Sequence, residues 1–335
     1  MRIAYLLASG ELFGGNKVIL MQAEGLARRG HHVTVVSPDA APDWFPLMRA
    51  HFERSSFRDS HALEAADVRV ATFFRTVHAA LDGARGPVFH LCQGYEGGLT
   101  YYREIWNEIA DIYRLPTRKL AISGVLAELL TREGFGPVAN VGQAFDGADF
   151  FPGPPRPAAD PPVVLVVGPL EIDSKGVDVA LRGLQAFRRD GGRFRLRRVS
   201  YFPPGAAERS YGLADEYHHR LAPERMPFAY RASDVFIGAT RPEEGFGLPS
   251  LEALACGIPV LLSDVPGQRE IGAGAARFFP DGDAEGLAAA LPDLLTQEAR
   301  AVARTAGPAA ASKYDTALVA ERLEAAFCAA LGEAA

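Results

Sequence analysis

The stretch that decides the fold is DVFIGATRPEEGFGLPSLEALACGIPVLLSD, residues 234–264. It begins with an apolar run and passes through a loop with two glycines to Pro249. Proline is tolerated in the first turn of a helix, because its missing N–H would have had no partner there. We therefore predict a helix from Pro249 to about Gly257, followed by a strand over Pro259–Ser263. This alternation of strand, helix and strand is typical of a parallel α/β domain.

The loop in this stretch has the features of an anion site. The backbone N–H groups of Gly247 and Leu248 are expected at a helix N-terminus, which attracts phosphates, and glycine allows a close approach. Glu252, in the first helical turn, could turn its carboxylate toward sugar hydroxyls, and Glu244 could reach a transferred sugar. Two acids flanking an anion-binding loop suit a diphosphate that lies between two polyhydroxylated groups.

Strands and helices alternate in two sets along the chain. The first set opens with an apolar run, a glycine-rich loop, a helix and a second strand, over residues 2–37. Four prolines within residues 151–157 then preclude a regular helix or a central strand. The predicted fold class is therefore α/β, with two Rossmann-like, doubly wound parallel sheets facing across a cleft. The expected divisions are an N-terminal domain (residues 1–152), a linker (153–161) and a C-terminal domain (162–312). A C-terminal helix (313–335) is expected to pack back on the N-terminal domain.

Composition excludes several classes of protein. A chain of 335 residues with a net charge of −6 has room for two cores and does not favour non-specific nucleic-acid binding. Its basic run, Arg188–Arg198, is interpreted as a solvated helix end and an exposed strand, with a membrane or anionic-acceptor patch as the alternative. Three widely spaced cysteines favour neither a disulfide framework nor a zinc site and fit a reducing cytosol. The apolar run at the N-terminus is too short for a membrane span.

The two acids identify a resemblance. The pattern Glu244-x7-Glu252, with Gly-Phe-Gly-Leu-Pro-x-Leu-Glu-Ala between and around them, is similar to that of the retaining GT-B glycosyltransferases of the family-4 group, also called glycosyl transferases group 1. The resemblance implies that Glu244 contacts the donor sugar as the catalytic residue and that Glu252 contacts the nucleotide ribose. The rest of the loop, Gly245, Phe246, Gly247 and Leu248, would bind the donor.

Other segments extend the resemblance. Gly14 and Gly15 lie where family members have a glycine pair facing the donor phosphates; a plain tight turn is the alternative, and a Walker loop is disfavoured because Asn16 follows the glycines. Lys175 and Gly176 match a Lys-Gly pair whose lysine neutralises the leaving diphosphate. Pro169 stands where the family has an arginine, so one cation is missing or another residue, such as Arg241, replaces it.

The segment from His90 to Glu96 follows an apolar run of the first domain. His90, Tyr95 and Glu96 could hold an acceptor hydroxyl, and His90 could equally be a hydrogen-bonded core histidine. The expected function is transfer of a sugar from a nucleotide-diphosphate-sugar to a saccharide, lipid-linked or small-molecule acceptor, with retention and without metal or cofactor. An inverting transferase, an epimerase and a non-catalytic nucleotide-binding protein stay open as alternatives. The expected location is cytoplasmic, at most peripheral to the inner membrane face.

Overall fold

A computed structural model describes residues 1–244 and 246–333. The chain forms two compact units, the first comprising Met1–Asp146 with Tyr314–Ala335 and the second Gly147–Lys313. Within the described residues, no helix combines the length and the apolar character needed to span a bilayer.

Each unit contains one sheet, and every strand pairing in both sheets is parallel. The strands are β1 (Arg2–Leu6), β2 (His32–Ser37), β3 (His51–Arg54), β4 (Val68–Ala71), β5 (Val88–Cys92), β6 (Arg118–Ala121), β7 (Val138–Asn140), β8 (Val163–Val167), β9 (Arg195–Ser200), β10 (Ala214–His219), β11 (Val235–Gly238), β12 (Val260–Ser263) and β13 (Arg277–Phe279). The first sheet has the order β3-β2-β1-β4-β5-β6-β7 and the second the order β10-β9-β8-β11-β12-β13. The predicted class, two doubly wound parallel α/β domains, is confirmed.

The helices follow the strands in the alternation expected of such domains. They are α1 (Gly14–Arg28), α2 (His61–Ala65), α3 (Val77–Leu81), α4 (Trp106–Arg114), α5 (Gly124–Arg132), α6 (Val177–Arg189), α7 (Ala206–Ser210), α8 (Met226–Arg231), α9 (Leu248–Ala255), α10 (Pro266–Gly272), α11 (Ala284–Leu294), α12 (Gln297–Ala311) and α13 (Thr316–Glu333). Central strands such as β8, with the sequence VVLVV, are continuous apolar runs because both of their faces are covered.

Three differences from the sequence prediction concern the first unit. Helix α1 begins at Gly14, so the glycine pair forms the start of the helix and does not precede it. Residues 100–113, which the sequence predicts as one helical stretch, form a 3-10 segment, Thr100–Ile105, followed by α4. The short edge strand β3, with the sequence HFER, was missed because an edge strand carries little of the apolar pattern by which buried strands are predicted.

The interpretation of the basic run as solvent-exposed is wrong for its last residue. Strand β9 is an inner strand, and Arg198 on it is completely buried. Its guanidinium donates to the carboxylate of Glu208 at 2.6 Å and to the carbonyl oxygens of Val166 and Gly168 at 2.6 and 2.7 Å. A buried guanidinium is tolerated because it is both neutralised and hydrogen-bonded.

The proline-rich segment is attached to the second unit through arginines. Arg231 donates to the carbonyl oxygen of Asp149 at 3.3 Å, and Arg304 donates to that of Gly153 at 2.7 Å. The segment expected as a linker, 153–161, is thus part of this unit. The first unit ends at Asp146, ahead of the prolines.

Helix α13 supplies part of the core of the first unit. Val319, Leu323 and Phe327 are fully buried, and the Phe327 ring packs on that of Phe89 with centroids 4.8 Å apart. On α1, a Cβ at Gly25 would lie 3.0 Å from a methyl group of Thr316, so a side chain there would require its neighbours on α13 to shift.

An ion cluster ties the end of α1 to α13. Glu324 accepts hydrogen bonds at 2.8 Å from Nε of Arg29 and lies 2.8 Å from Nε2 of His31. The hydrogen bond from Arg29, with a smaller contribution from His31, lowers the pKa of Glu324. A carboxyl group whose pKa is lower in the folded state stabilises the fold above its unfolded pKa, and this stabilisation is lost as the pH falls through the folded pKa.

We therefore expect Glu324→Gln to lower the free energy of unfolding at neutral pH by about 0.5–1 kcal/mol, because the pair is partly solvated. The deficit should begin to shrink below the ordinary glutamate pKa of about 4.5 and should disappear once the pH has fallen through the lower pKa of the folded state. Urea denaturation at a series of pH values measures both effects. Glu321→Gln, an exposed position on the same helix, is the control, and an equal loss in both variants would contradict the assignment.

Candidate functional site

The second sheet changes its direction of winding between β8 and β11. The chain leaves β8 toward one side of the sheet and β11 toward the other, so the loops that follow these two neighbouring strands meet at their carboxyl ends. In open α/β sheets this crevice is where ligands bind. Here it brings together the segment 168–176, which contains Lys175, and the segments 239–244 and 246–247, which contain Glu244, Phe246 and Gly247.

Lys175 and Glu244 meet in this crevice. The ammonium nitrogen of Lys175 lies 2.5 Å from Oε1 of Glu244, and the hydroxyl of Ser174 donates to Oε2 at 3.1 Å. The lysine side chain is 26% exposed and the glutamate side chain 18% exposed, so both are partly withdrawn from solvent. The structure thus joins the predicted diphosphate cation directly to the predicted sugar-contacting carboxylate.

Gly176 sets the spacing of the two loops. Its φ is +58°, and a Cβ there would lie 1.8 Å from the carbonyl oxygen of Ala239. Any side chain at this position would force the loops apart, which is the physical reason for glycine after Lys175.

Helix α9 begins in the same crevice. Its N-cap is Gly247, with φ +99° and no capping side chain within the described residues, and Pro249 lies in its first turn. A Cβ at Gly247 would lie 2.4 Å from the side-chain nitrogen of Gln268, which donates to Thr240 at 2.7 Å. An uncapped first turn leaves backbone N–H groups to meet an anion.

The remaining residues of the predicted donor loop differ in accessibility. Leu248 is partly exposed, whereas the side chain of Phe246 is buried, so only the backbone of Phe246 could contact a donor. Gly245 lies outside the described residues.

Glu252 is held by a tyrosine that is not among the predicted site residues. Its carboxylate is buried on α9 and accepts a hydrogen bond of 2.9 Å from the hydroxyl of Tyr230. The Tyr230 ring packs near Phe150 and Phe236, with centroids 6.0 and 5.9 Å away. Burial, and then the charge of Glu252, raise the pKa of Tyr230 well above its usual value, so the phenol stays protonated and donates. The sequence signal for it is the spacing Tyr230-x-x-Ser233-Asp234, which is similar to a Tyr-x-x-Ala/Ser-Asp junction between helix and strand in the family that the sequence resembles.

Among the described residues, neither Arg241 nor Arg198 supplies the cation that the resemblance leads one to expect at Pro169. Arg241, the proposed substitute, pairs with Asp173 at 3.2 Å and with Asp178 at 3.3 Å. Arg198 lies beneath the same loop and binds the Gly168 carbonyl, but it is fully buried and neutralised by Glu208. Both guanidinium groups are therefore engaged with protein groups of these loops and strands.

The predicted glycine pair of the first unit forms the start of α1, directly after the loop that follows β1. The carbonyl oxygen of Gly15 accepts a hydrogen bond of 3.1 Å from the side chain of Gln93, and a Cβ at Gly15 would lie 3.2 Å from the same nitrogen. Asn16 holds the preceding loop by donating to the carbonyl oxygens of Ser9 and Glu11. The helix has no capping side chain within the described residues, as at α9.

His90 lies inside the first unit, on β5. Its ring is fully buried against that of Tyr113, with centroids 4.7 Å apart, and neither nitrogen has a hydrogen-bond partner in the described part of the chain. Burial, and then the nearby Lys119, lower the pKa of His90 to about 3, so it is neutral at physiological pH. Direct contact with an acceptor is excluded in this conformation, and His90 is a core histidine that lacks the hydrogen bond expected for one.

Tyr95 and Glu96 lie in the turn that follows β5. The Tyr95 ring packs on those of Tyr113 and Phe135, with centroids 5.0 and 5.2 Å away. The carboxylate of Glu96 accepts a hydrogen bond from the Tyr113 hydroxyl. Burial raises the pKa of Glu96. These two side chains are partly accessible, so they remain a candidate acceptor contact where His90 does not.

No group of three or more His, Cys, Asp or Glu side chains arranged to hold a metal ion occurs among residues 1–244 and 246–333.

Comparison with known proteins gives a family match for the second unit. Residues 161–297 match the model of the family described as glycosyl transferases group 1. The O-antigen chain mannosyltransferase B of Escherichia coli is 33% identical over 92 residues, which are 27% of this chain and 24% of that protein. A D-inositol 3-phosphate glycosyltransferase of Rhodococcus opacus is 38% identical over 87 residues, 25% of this chain and 19% of that protein. The matched segments thus span about a quarter or less of these curated relatives.

Solved structures match almost the whole chain at low identity. Sucrose-phosphate synthase from Thermosynechococcus elongatus has a TM-score of 0.77 at 19% identity, covering 99% of both chains. Anabaena HepE, in complex with UDP and glucose, has a TM-score of 0.77 at 14% identity, covering 98% of this chain and 99% of that one. A glycosyltransferase from Rickettsia africae has a TM-score of 0.73 at 14% identity, covering 98% of both chains. The segment 161–297 is therefore similar in sequence to the glycosyl transferases group 1 family, and the chain as a whole has the GT-B fold expected from the resemblance.

Proposed function

We propose that this protein is a glycosyltransferase that moves a sugar from a nucleotide-diphosphate-sugar to an acceptor hydroxyl. The observation that carries the proposal is the meeting of Lys175, Glu244 and the uncapped start of α9 at the switch point of the second sheet. The family match of residues 161–297 and the bound UDP and glucose of the structurally similar HepE support it.

The donor would lie with its diphosphate at the start of α9. There the backbone N–H groups and Lys175 would stabilise the negative charge that develops on the departing diphosphate. Glu252, held by Tyr230, would accept hydrogen bonds from the ribose hydroxyls, and Glu244 would accept them from the transferred sugar. Gly14 and Gly15, at the start of α1, would allow phosphates or acceptor to approach the backbone of the first unit.

Transfer with retention is the stereochemical part of the proposal, and it follows the family resemblance. The bond from the anomeric carbon to the diphosphate oxygen breaks, the acceptor oxygen bonds to that carbon from the same face, and the acceptor proton passes to the departing diphosphate. Glu244 orients the sugar in this scheme and forms no covalent bond.

The acceptor is proposed to be a saccharide, bound near Tyr95 and Glu96. Glycosyltransferases that act on saccharides are among the relatives, such as the O-antigen mannosyltransferase. Lipid-linked and small-molecule acceptors are the other options for this position.

All three cysteines are free, two of them buried, which suits a reducing compartment such as the cytoplasm.

A nucleotide-binding protein without transferase activity is the second candidate. Two observations favour it: Pro169 stands where the family pattern has an arginine, and Arg241 is paired with Asp173 and Asp178. The negative charge on the departing diphosphate would then be stabilised by one cation fewer than the family pattern provides. A turnover assay separates the two candidates, because the second predicts tight nucleotide binding without release of sugar.

The first test is turnover with a panel of nucleotide-sugars after a thermal-shift screen has found those that bind. We expect release of nucleoside diphosphate from at least one of them. Glu244→Ala should lower kcat by about 100-fold, because a sugar that is no longer oriented leaves its reactive geometry. The exposed neighbour Glu243→Ala is the matched control, and full turnover by the Glu244 variant would refute its role.

A second prediction concerns Tyr230. Tyr230→Phe keeps the ring packing and removes the donor that positions Glu252, so the Kd for a nucleoside diphosphate should rise about fivefold, the equivalent of about 1 kcal/mol. The Kd for inorganic diphosphate, which has no ribose, should not change. Isothermal titration with both ligands distinguishes this positioning role from a general loss of structure, which would weaken both.

A third prediction concerns stereochemistry and metal. With an α-linked donor, proton NMR of the fresh product should show an α-linkage. Activity should survive dialysis against a chelator, since Lys175 and the helix terminus supply the charge stabilisation. A β-linked product would identify an inverting enzyme, and activity restored only by a divalent cation would refute the metal-free part.

A further inference from the structure

The cation that would bind the donor diphosphate already has an anionic partner. Oε1 of Glu244 lies 2.5 Å from the Lys175 nitrogen, while Ser174 donates to the other carboxylate oxygen at 3.1 Å. Both charged side chains are mostly withdrawn from solvent, where opposite charges attract more strongly than they do in water. An incoming diphosphate therefore has to compete with Glu244 for the lysine.

The neighbouring cation does not relieve this competition. Arg241 is paired with Asp173 and Asp178, and its backbone N–H donates to the carbonyl oxygen of Ser174 at 2.9 Å. The contacts of Arg241 and those of Glu244 thus connect the same two loops. At the ends of β8 and β11, the positive charges of Lys175 and Arg241 are therefore already paired with carboxylates of the same loops and of α6.

We propose that Glu244 is an internal counter-ion that makes the site select a complete nucleotide-sugar over a bare nucleoside diphosphate. This inference rests on the proposed function and adds a selectivity to it. A carboxylate can only accept hydrogen bonds, so Glu244 can leave Lys175 without penalty only if new donors replace the ammonium group. The hydroxyls of the transferred sugar are such donors, and a nucleoside diphosphate lacks them at this position.

The consequence is different affinities for substrate and product. When the donor binds, Lys175 exchanges its ion pair with Glu244 for one with the diphosphate, and Glu244 accepts hydrogen bonds from the sugar. After transfer the sugar has left, and Glu244 faces an anion while its own cation is engaged. The carboxylate then competes for Lys175 again and favours departure of the nucleoside diphosphate.

The test compares Glu244→Gln with Glu243→Gln. Both remove one negative charge from the same loop, and Glu243 is exposed at the neighbouring position. Binding is measured by isothermal titration with the tightest-binding member of UDP, GDP, ADP and dTDP, and with its glucose ester. Circular dichroism checks that each variant is folded.

We expect Glu244→Gln to bind the nucleoside diphosphate at least about tenfold more tightly than the wild type, a change of about 1.4 kcal/mol. Its affinity for the glucose ester should rise less, because the amide is a poorer acceptor for sugar hydroxyls. Glu243→Gln should change either Kd by less than about twofold, the range usual for an exposed charge. The double variant, Lys175→Met with Glu244→Gln, should bind the nucleoside diphosphate no more tightly than Lys175→Met alone does. This result would show that the gain in affinity arises through the lysine.

Three results would overturn the inference. Glu244→Gln could bind the nucleoside diphosphate no more tightly than the wild type does, Glu243→Gln could produce an equal gain, or the gain could persist without Lys175. A wild-type protein that binds neither the diphosphates nor the sugar nucleotides would refute the proposed function itself. Normal wild-type binding with an unchanged Glu244→Gln variant refutes only the counter-ion role.

Discussion

The close contact between Gly176 and the carbonyl oxygen of Ala239 is the constraint on which the rest of the candidate site depends. It holds the loop after β8 against the loop after β11, at the point where the sheet reverses its winding. Only with the two loops at this distance can Lys175 reach Glu244 and can Arg241 reach Asp173 and Asp178. The position of the charges therefore follows from a backbone contact that tolerates no side chain.

Sequence reasoning predicted the features that are local in the chain. The start of α9 at Gly247 and Pro249 could be found because the residues that form it are contiguous and each is suited to its position by its own backbone chemistry. The pairing of Lys175 with Glu244 could not be predicted, because it joins residues on two loops whose approach is set by tertiary structure. Tyr230 was not predicted as a site residue for the same reason, since its hydrogen bond to Glu252 crosses from one helix to another.

Burial was the other property that the sequence concealed. The arginines of the run 188–198 look alike in sequence, yet Arg198 is completely buried and Arg189 is largely exposed. A parallel inner strand can accommodate a guanidinium when a buried carboxylate and strand carbonyls surround it, as Glu208, Val166 and Gly168 do here. For His90 the sequence left an acceptor contact and a core position open. The ring packs in the core, and neither of its nitrogens has a hydrogen-bond partner among the described residues.

The dependence of the first unit on α13 has a consequence for the order of assembly during synthesis. Val319, Leu323 and Phe327 close a core whose other walls come from the first 146 residues. The second unit lies wholly between these two parts of the chain, so all of its strands leave the ribosome before the last wall of the first core is made. Domains generally fold in the order of their synthesis. In this chain the unit that begins first is the one that finishes last, and its unfinished core must be protected while the second unit is being made.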